Sequence, residues 1–331
     1  MSGRWDPLLV LAAPHAGGGR AGVDALTRGL VGVPWSGSGR PRSILNNDGI
    51  PLQLSISSGA EGVGVRLIGD PHTGLPPSRR FGASVHSAQT LLDATGSAGL
   101  RSLVQATIQR TLPEDDLGRS ELPHGALWLA AAVDGRPGMA LYTTLDWGPT
   151  DAAARWQRVH GWLGEILPAG SSASRWLVGL SEAGVPTSAA LEGSTLADAR
   201  AKVYARLLGP TPFGRLGLEG LTDPRMLRFV ELALAGRAVA RLGLVLSASF
   251  SVATGELADV KVDICGHCIP RSASEWQGLC AQLSRSSGVR PIGIEAALTE
   301  HDVGVAFIGM GRKRSGQMRM NLYLKSTVPV A

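Results

Sequence analysis

Apolar residues recur along this chain at two intervals. Where every second residue is apolar the stretch reads as a strand, and where apolar residues fall three and four apart it reads as a helix. The strand-like stretches come in pairs. Residues 51–59 (PLQLSISSG) precede 62–71 (GVGVRLIGDP), and 125–135 (GALWLAAAVDG) meets 136–146 (RPGMALYTTLD) at Asp134-Gly135. Residues 174–184 (SRWLVGLSEAG) pair with 199–208 (ARAKVYARLL) across a longer loop. Residues 241–252 (RLGLVLSASFSV) pair with 258–267 (ADVKVDICGH) through Thr254-Gly255, and 302–311 (DVGVAFIGMG) with 317–326 (QMRMNLYLKS). Helical periodicity fills the gaps. It covers 84–112 in one or two pieces, 151–167 behind an Asp151 cap, 223–236 with Pro224 in the first turn, and 272–288 from a Ser-x-x-Glu start to Gly288. No break in composition interrupts the repeat. Residues 40–331 therefore read as one domain, after an N-terminal segment 1–39 that is partly helical or flexible.

The second strand of each pair has an apolar face and a face that carries chemistry. Those chemical faces hold Arg66 and Asp70; Tyr142, Thr144 and Asp146; Arg200, Lys202, Tyr204 and Arg206; Lys261, Asp263 and Cys265; and Arg319, Asn321, Tyr323 and Lys325. Helices need an apolar surface to pack on, so they cover the apolar face and leave the polar face on the far side of the sheet. Ten antiparallel strands suffice to close a barrel with a roomy lumen and no free edges. The expected fold is α+β: ten antiparallel strands closed around a polar lumen, with helices outside. Unpaired cations are too costly to bury, so cations in that lumen imply an anion among them.

Composition narrows the classes. A net charge of +5 without a dense Lys/Arg block argues against nucleic acid as a partner. No apolar run reaches membrane-spanning length, and the short LLVLAA patch follows Asp6, so a cytoplasmic monomer is expected. Three cysteines are too few for a disulfide framework. Cys265-Gly266-His267-Cys268 lacks a second ligand pair for zinc and reads as a strand end with buried thiols. Glu114-Asp115-Asp116 has no acidic partner motif and reads as a solvated loop; Gly17-Gly18-Gly19-Arg20 lacks the ending of a phosphate loop. His86, His124, His160 and His301 are scattered and read as structural. No metal site is expected.

Three motifs resemble those of the ABBA prenyltransferases, whose repeated α-β-β-α units surround a ten-stranded barrel, and in particular the dimethylallyltryptophan synthase branch and its cyanobactin peptide prenyltransferase relatives. Residues 43–55 (SILNNDGIPLQLS) are similar to the family's Asp-Gly-x-Pro turn into the first strand, RLIGDP (66–71) to its second-strand motif, and Arg200-x-Lys202-x-Tyr204 to its Arg-x-Lys-x-Tyr strand. The resemblance implies five αββα repeats and transfer of a dimethylallyl or geranyl group from its diphosphate to an electron-rich acceptor, with no cofactor and no magnesium requirement. The acceptor would be an indole or tryptophan, a tyrosine, or a side chain in a ribosomal or cyclic peptide. By the same resemblance Arg66, Arg200, Lys202, Lys261, Arg319 and Lys325 would cradle the diphosphate. Tyr142, Tyr204 and Tyr323, the only tyrosines of the chain, would shield the allylic cation. Trp128, Trp176 and Asn321 are candidates for the acceptor pocket.

Two positions depart from the family pattern. Gln53 stands where the family has a glutamate that takes the acceptor's proton, and an amide orients but does not accept that proton. Asp263 is then a candidate base, with Asp146 and Glu182 behind it. Ala140 replaces a family lysine, a gap that Lys261 would fill. These departures keep open a guanidine or other nitrogen acceptor, a lyase or cyclase on the same diphosphate site, and a non-catalytic binder of isoprenoid diphosphate.

Overall fold

A computed structural model describes residues 6–34, 43, 45–46, 49–114, 118, 122, 125–148, 151–208, 216, 220–236 and 243–328. Ten strands run β1 (Leu52–Gly59), β2 (Gly62–Gly69), β3 (Leu127–Ala132), β4 (Met139–Thr144), β5 (Gly184–Gly193), β6 (Arg200–Leu207), β7 (Leu244–Ser251), β8 (Leu257–Cys265), β9 (Val303–Lys313) and β10 (Met318–Ser326). Each pairs antiparallel with its sequence neighbours, and β10 returns to pair with β1, so the sheet closes. Closure matters because it turns one face of every strand inward and removes both edges.

Helices α1 (Asp6–Ala12), α2 (Gly19–Val31), α3 (Pro77–Ala94), α4 (Arg101–Thr111), α5 (Ala152–Ile166), α6 (Ala173–Ala183), α7 (Pro224–Leu234), α8 (Ala273–Ser287) and α9 (Glu295–Glu300) accompany the barrel. Local chemistry sets their ends. Asp151 and Asp223 accept hydrogen bonds from the first turns of α5 and α7. Ser272 and Glu275 form a reciprocal capping box on α8, which stops at Gly288 in the left-handed conformation. The main apolar core lies between helices and sheet. It joins outward strand residues such as Leu54, Leu67, Leu141, Val203, Val262 and Leu322 to Trp162, Leu177, Phe229 and Leu283 of the helices. Each such side chain contributes roughly 1.5–3 kcal/mol by leaving water. A second, small apolar cluster sits inside the lumen: Ile68, Ala130 and Ala140, with Trp128, Tyr142 and Tyr323 against it.

The pairing expected from sequence holds for four hairpins and fails for the first strand of the third. Residues 174–183 belong to α6, not to a strand, because Ala173, Leu177 and Leu180 recur at helical spacing and are buried together. The strand is β5, just downstream. Its Pro186 interrupts the register, and its Ala, Ser and Thr content conceals the alternation. In the N-terminal segment, α1 lies against β10 and α2 against β2, with Leu8, Val23 and Leu30 in the main core. Gly17 and Gly18 connect these helices, and Arg20 pairs with Asp6 and Asp24. Ile44, Asn47 and Asp48 of the segment leading into β1, together with Asp115, Asp116 and His124, lie outside the described residues. No described helix is long and apolar enough to cross a membrane.

Asp70 follows the end of β2 and pairs with Arg80 of α3, with Nη2 to Oδ1 at 2.5 Å and both side chains buried. Burial pushes the Asp70 carboxyl up to about 6 against the pull of Arg80. Replacing Asp70 with Ala leaves a buried guanidinium without its carboxylate. Urea denaturation is expected to show a loss of about 3–5 kcal/mol; a loss within error of zero would show that this pair does not tie α3 to the barrel.

Candidate active site

Strand parity places the chemistry. On β6, Arg200, Lys202 and Tyr204 face the lumen while Ala201, Val203 and Ala205 join the outer core, which accounts for the alternation seen in the sequence. Strands β2, β4, β8 and β10 add Arg66, Tyr142, Lys261, Arg319 and Tyr323 to the same interior. Such a set of cations is tolerable only with counter-charge, and the counter-charge comes from two carboxylates absent from the sequence-derived site. Glu192 of β5 lies directly across from Arg200. Its Oε1 stands 3.0 Å from Arg200 Nη2 and 3.3 Å from Lys202 Nζ, and its Oε2 stands 3.4 Å from Arg66 Nη1. Asp259 of β8 faces Arg200 at 3.2 Å and Arg319 at 3.7 Å. Burial alone would raise both carboxyl pKa values. The surrounding guanidinium and ammonium groups outweigh it and hold Glu192 well below the usual range and Asp259 lowered. Lys202 is buried, and desolvation lowers its pKa despite the two acids.

Next to this charged layer lie the phenols. The Tyr142 and Tyr204 rings are 6.1 Å apart. Lys261 donates to Tyr323 Oη at 2.7 Å and stands 5.0 Å from the Tyr323 ring centre and 5.7 Å from that of Tyr204. Burial raises the Tyr142 and Tyr204 pKa values, so both remain neutral phenols at ordinary pH. The Lys261 ammonium is held by Asp263 at 2.6 Å. That pair fits because β9 presents Gly309 and Gly311 opposite it; a Cβ at 309 would collide with Asp263 Oδ1.

Beyond the phenols a cavity of about 330 Å³ opens, lined by Gln53, Trp128, Asp263 and Phe307 together with the three tyrosines, and rimmed by Asp146 and Arg206. Gln53 is fixed as a donor: its Nε2 reaches Leu45 O at 3.0 Å and Asn46 Oδ1 at 2.7 Å. Asp263 Oδ1 is buried without a hydrogen-bond partner. A charged pole, a phenol layer and a cavity with a half-engaged carboxylate thus follow one another along the barrel.

No protein-family model matches the sequence, and no curated protein matches it. Solved structures do. The 6-dimethylallyltryptophan synthase from Micromonospora olivasterospora in complex with DMASPP and Trp superposes with a TM-score of 0.80 at 18% identity, covering 98% of this chain and 97% of that one. The 5-dimethylallyl tryptophan synthase from Streptomyces coelicolor, also with DMASPP and Trp, gives 0.75 at 19% identity over 97% and 93%. The PriB ternary complex with L-tryptophan and dimethylallyl thiolodiphosphate gives 0.72 at 18% over 97% and 94%. This chain has the ABBA prenyltransferase fold.

Within that fold, the residues expected from sequence separate into those the barrel gathers and those it does not. Arg66, Arg200, Lys202, Lys261, Arg319 and the three tyrosines share the lumen, as does Asn321, whose Oδ1 is buried and unpartnered. Trp128 and Gln53 reach the larger cavity. Trp176 does not: it sits on α6 and packs on the outer core, because its stretch is a helix. Glu182, exposed on the same helix, is likewise outside the lumen. Lys325 faces inward at the far end of β10, beside Asn46 and His267 and six residues along the strand from Arg319, so it does not join the cationic layer. Asp146 is bound to Arg155 at the cavity rim. Ala140 leaves a gap where its neighbour across the ladder is Glu192, so that part of the wall is acidic and not basic.

The Cys265–Cys268 turn ends β8; burial pushes the Cys265 thiol up to about 12, and no described residues cluster as a metal site. The close approach of β9 to Asp263 gives a direct check. Gly309→Ala is expected to lower stability by roughly 1–3 kcal/mol in urea denaturation, whereas Gly278→Ala, on an open position of α8, should be neutral or slightly stabilising. Equal effects at both positions would mean that the Lys261–Asp263 pair does not depend on a bare β9.

Proposed function

We propose that this protein is a prenyltransferase that moves a dimethylallyl or geranyl group from its diphosphate to an electron-rich acceptor. One observation carries the reading: a cationic layer, three phenols and an acceptor-sized cavity follow in that order within one closed barrel. The solved structures of the same fold that hold tryptophan together with DMASPP or dimethylallyl thiolodiphosphate support it.

In this reading the diphosphate lies among Arg66, Arg200, Lys202 and Arg319. The bond from the allylic carbon to oxygen breaks, and its electron pair leaves with the diphosphate, whose growing charge these donors stabilise. The phenol faces of Tyr142, Tyr204 and Tyr323 meet the allylic cation and keep water away. The acceptor's π-system, or a nitrogen, then attacks from the larger cavity, and one proton must depart. Gln53 positions the acceptor, while the Asp263 carboxylate, which lines the cavity and is held by Lys261, takes the proton. Side chains supply the positive charge, so turnover should survive chelation of divalent metal. Residues 40–331 hold the catalytic unit, which α1 and α2 brace from outside.

The acceptor is an aromatic or nitrogen-bearing side chain, free or within a peptide presented at the open rim. A second reading, a binder of isoprenoid diphosphate without turnover, draws on Gln53 and on the acids already seated among the cations. Incubation with dimethylallyl and geranyl diphosphates and a panel of tryptophan, tyrosine, arginine and cyclic peptides, read by mass spectrometry in the presence of EDTA, separates the two. A product heavier by one prenyl group, lost in Lys202→Ala, is expected. Tight donor binding with no product across the panel would favour the binder, and full activity of Lys202→Ala would remove the diphosphate assignment.

Glu192 has a definite part in this scheme. Its carboxylate occupies the position among Arg66, Arg200 and Lys202 that a phosphate oxygen would take, so it competes with the donor. Glu192→Gln should bind inorganic pyrophosphate about tenfold more tightly by calorimetry, roughly 1.4 kcal/mol. Weaker binding would mean that Glu192 orders the cations more than it competes for them.

A further inference from the structure

The lumen holds a second cavity, of about 260 Å³, at the opposite end of the barrel. It lies where the β1–β2, β3–β4 and β9–β10 connections meet, and its lining is mostly basic. Arg66 and Arg319 line it, with Arg136 and Lys313 at its rim, paired to Asp134 and Glu61. Neither Arg66 nor Arg319 touches the larger cavity, and none of the three tyrosines touches this one. The Arg66 side chain is 48% exposed, whereas those of Lys202 and Lys261 are 4% and 2% exposed. Solvent thus reaches the charged layer from the hairpin end.

Small residues keep that end open. Gly59, Gly64 and Ala132 stand at inward or turn positions, and Gly62 and Gly138 adopt φ of 129° and 118°, which only glycine holds without strain. An anion leaving by the larger cavity would have to pass the phenols, the apolar walls of Ile68, Trp128 and Phe307 and the carboxylates of Asp263 and Asp146, with Arg206 the one cation among the residues lining it. At the hairpin end, guanidinium groups accompany it into water.

We infer that the barrel has two doors: the diphosphate group reaches and leaves its site through the hairpin end, while the acceptor uses the larger cavity. The inference rests on the proposed prenyl transfer, but its test does not need turnover. Inorganic pyrophosphate is the probe, and stopped-flow association and displacement are the measurements. Ala132→Trp narrows the hairpin end. A plug slows association and dissociation together, by about tenfold, and leaves the dissociation constant nearly unchanged, whereas damaged contacts would speed dissociation. Val245→Trp narrows the larger cavity and should leave both pyrophosphate rates as in the parent protein.

Should Ala132→Trp fail to fold or damage contacts, the Arg136→Glu/Lys313→Glu pair decides the matter. Reversing the rim charges should slow association in a salt-dependent way. Unchanged rates in the hairpin-end variants, or slowing by Val245→Trp instead, would overturn the inference; absence of any pyrophosphate binding would overturn it together with the donor site. Pyrophosphate traffic through the hairpin end without prenyl transfer keeps the two doors and removes the enzyme. Prenyl transfer with pyrophosphate leaving past Val245 does the reverse.

Discussion

Charge balance inside a closed barrel is the constraint on which this structure turns. Arg66, Arg200, Lys202, Lys261 and Arg319 point into one lumen, and isolated buried cations would cost more than the fold's whole margin of stability. Glu192, Asp259 and Asp263 make the arrangement possible, each meeting at least one cation at 3.4 Å or less. These three acids are fewer than the five bases they meet, which leaves positive charge to spare among them. A visiting anion therefore finds donors already aimed inward and carboxylates that must yield some of their partners.

The same balance gives the site its order along the barrel axis. Glu192 and Asp259 sit with the arginines and Lys202 at one level. Lys261, held by Asp263 and by the Tyr323 hydroxyl, marks the step to the phenols. Beyond them the wall turns apolar, and the space widens enough for a ring. An allylic diphosphate has this same sequence of properties, charged at one end and apolar and electron-poor at the other. The two cavities extend that polarity to both mouths of the barrel.

Much of this was readable from the chain. Alternation in the second strand of each hairpin was clear enough, despite Ile68 and Ala140 on the inward face, to assign the inward parity of Arg66, Arg200, Lys202, Lys261, Arg319 and the tyrosines, and ten antiparallel strands were enough to close a barrel. The first strands carried weaker signals. β5 begins Gly-Val-Pro and continues through Thr, Ser and Ala, a composition that reads as loop, while the helix before it holds Trp, Leu and Val that read as strand. That exchange placed Trp176 at the lumen when it is outside, and it hid Glu192. Asp259 had a visible signal, since it shares parity with Lys261 and Asp263 on β8, but it lies one step nearer the turn. The distance of Lys325 from the charged layer followed from strand length, since six residues at about 3.3 Å each span most of a barrel's height.

A crystal structure with dimethylallyl thiolodiphosphate, whose carbon–sulfur bond resists ionisation, would test the central claim most directly. The expected density places the diphosphate among Arg66, Arg200, Lys202 and Arg319, with Glu192 giving up at least one of its cations and the five-carbon chain against Tyr142, Tyr204 and Tyr323. A lumen unchanged from the unliganded state, with all Glu192 pairs intact and the compound outside the barrel, would contradict it.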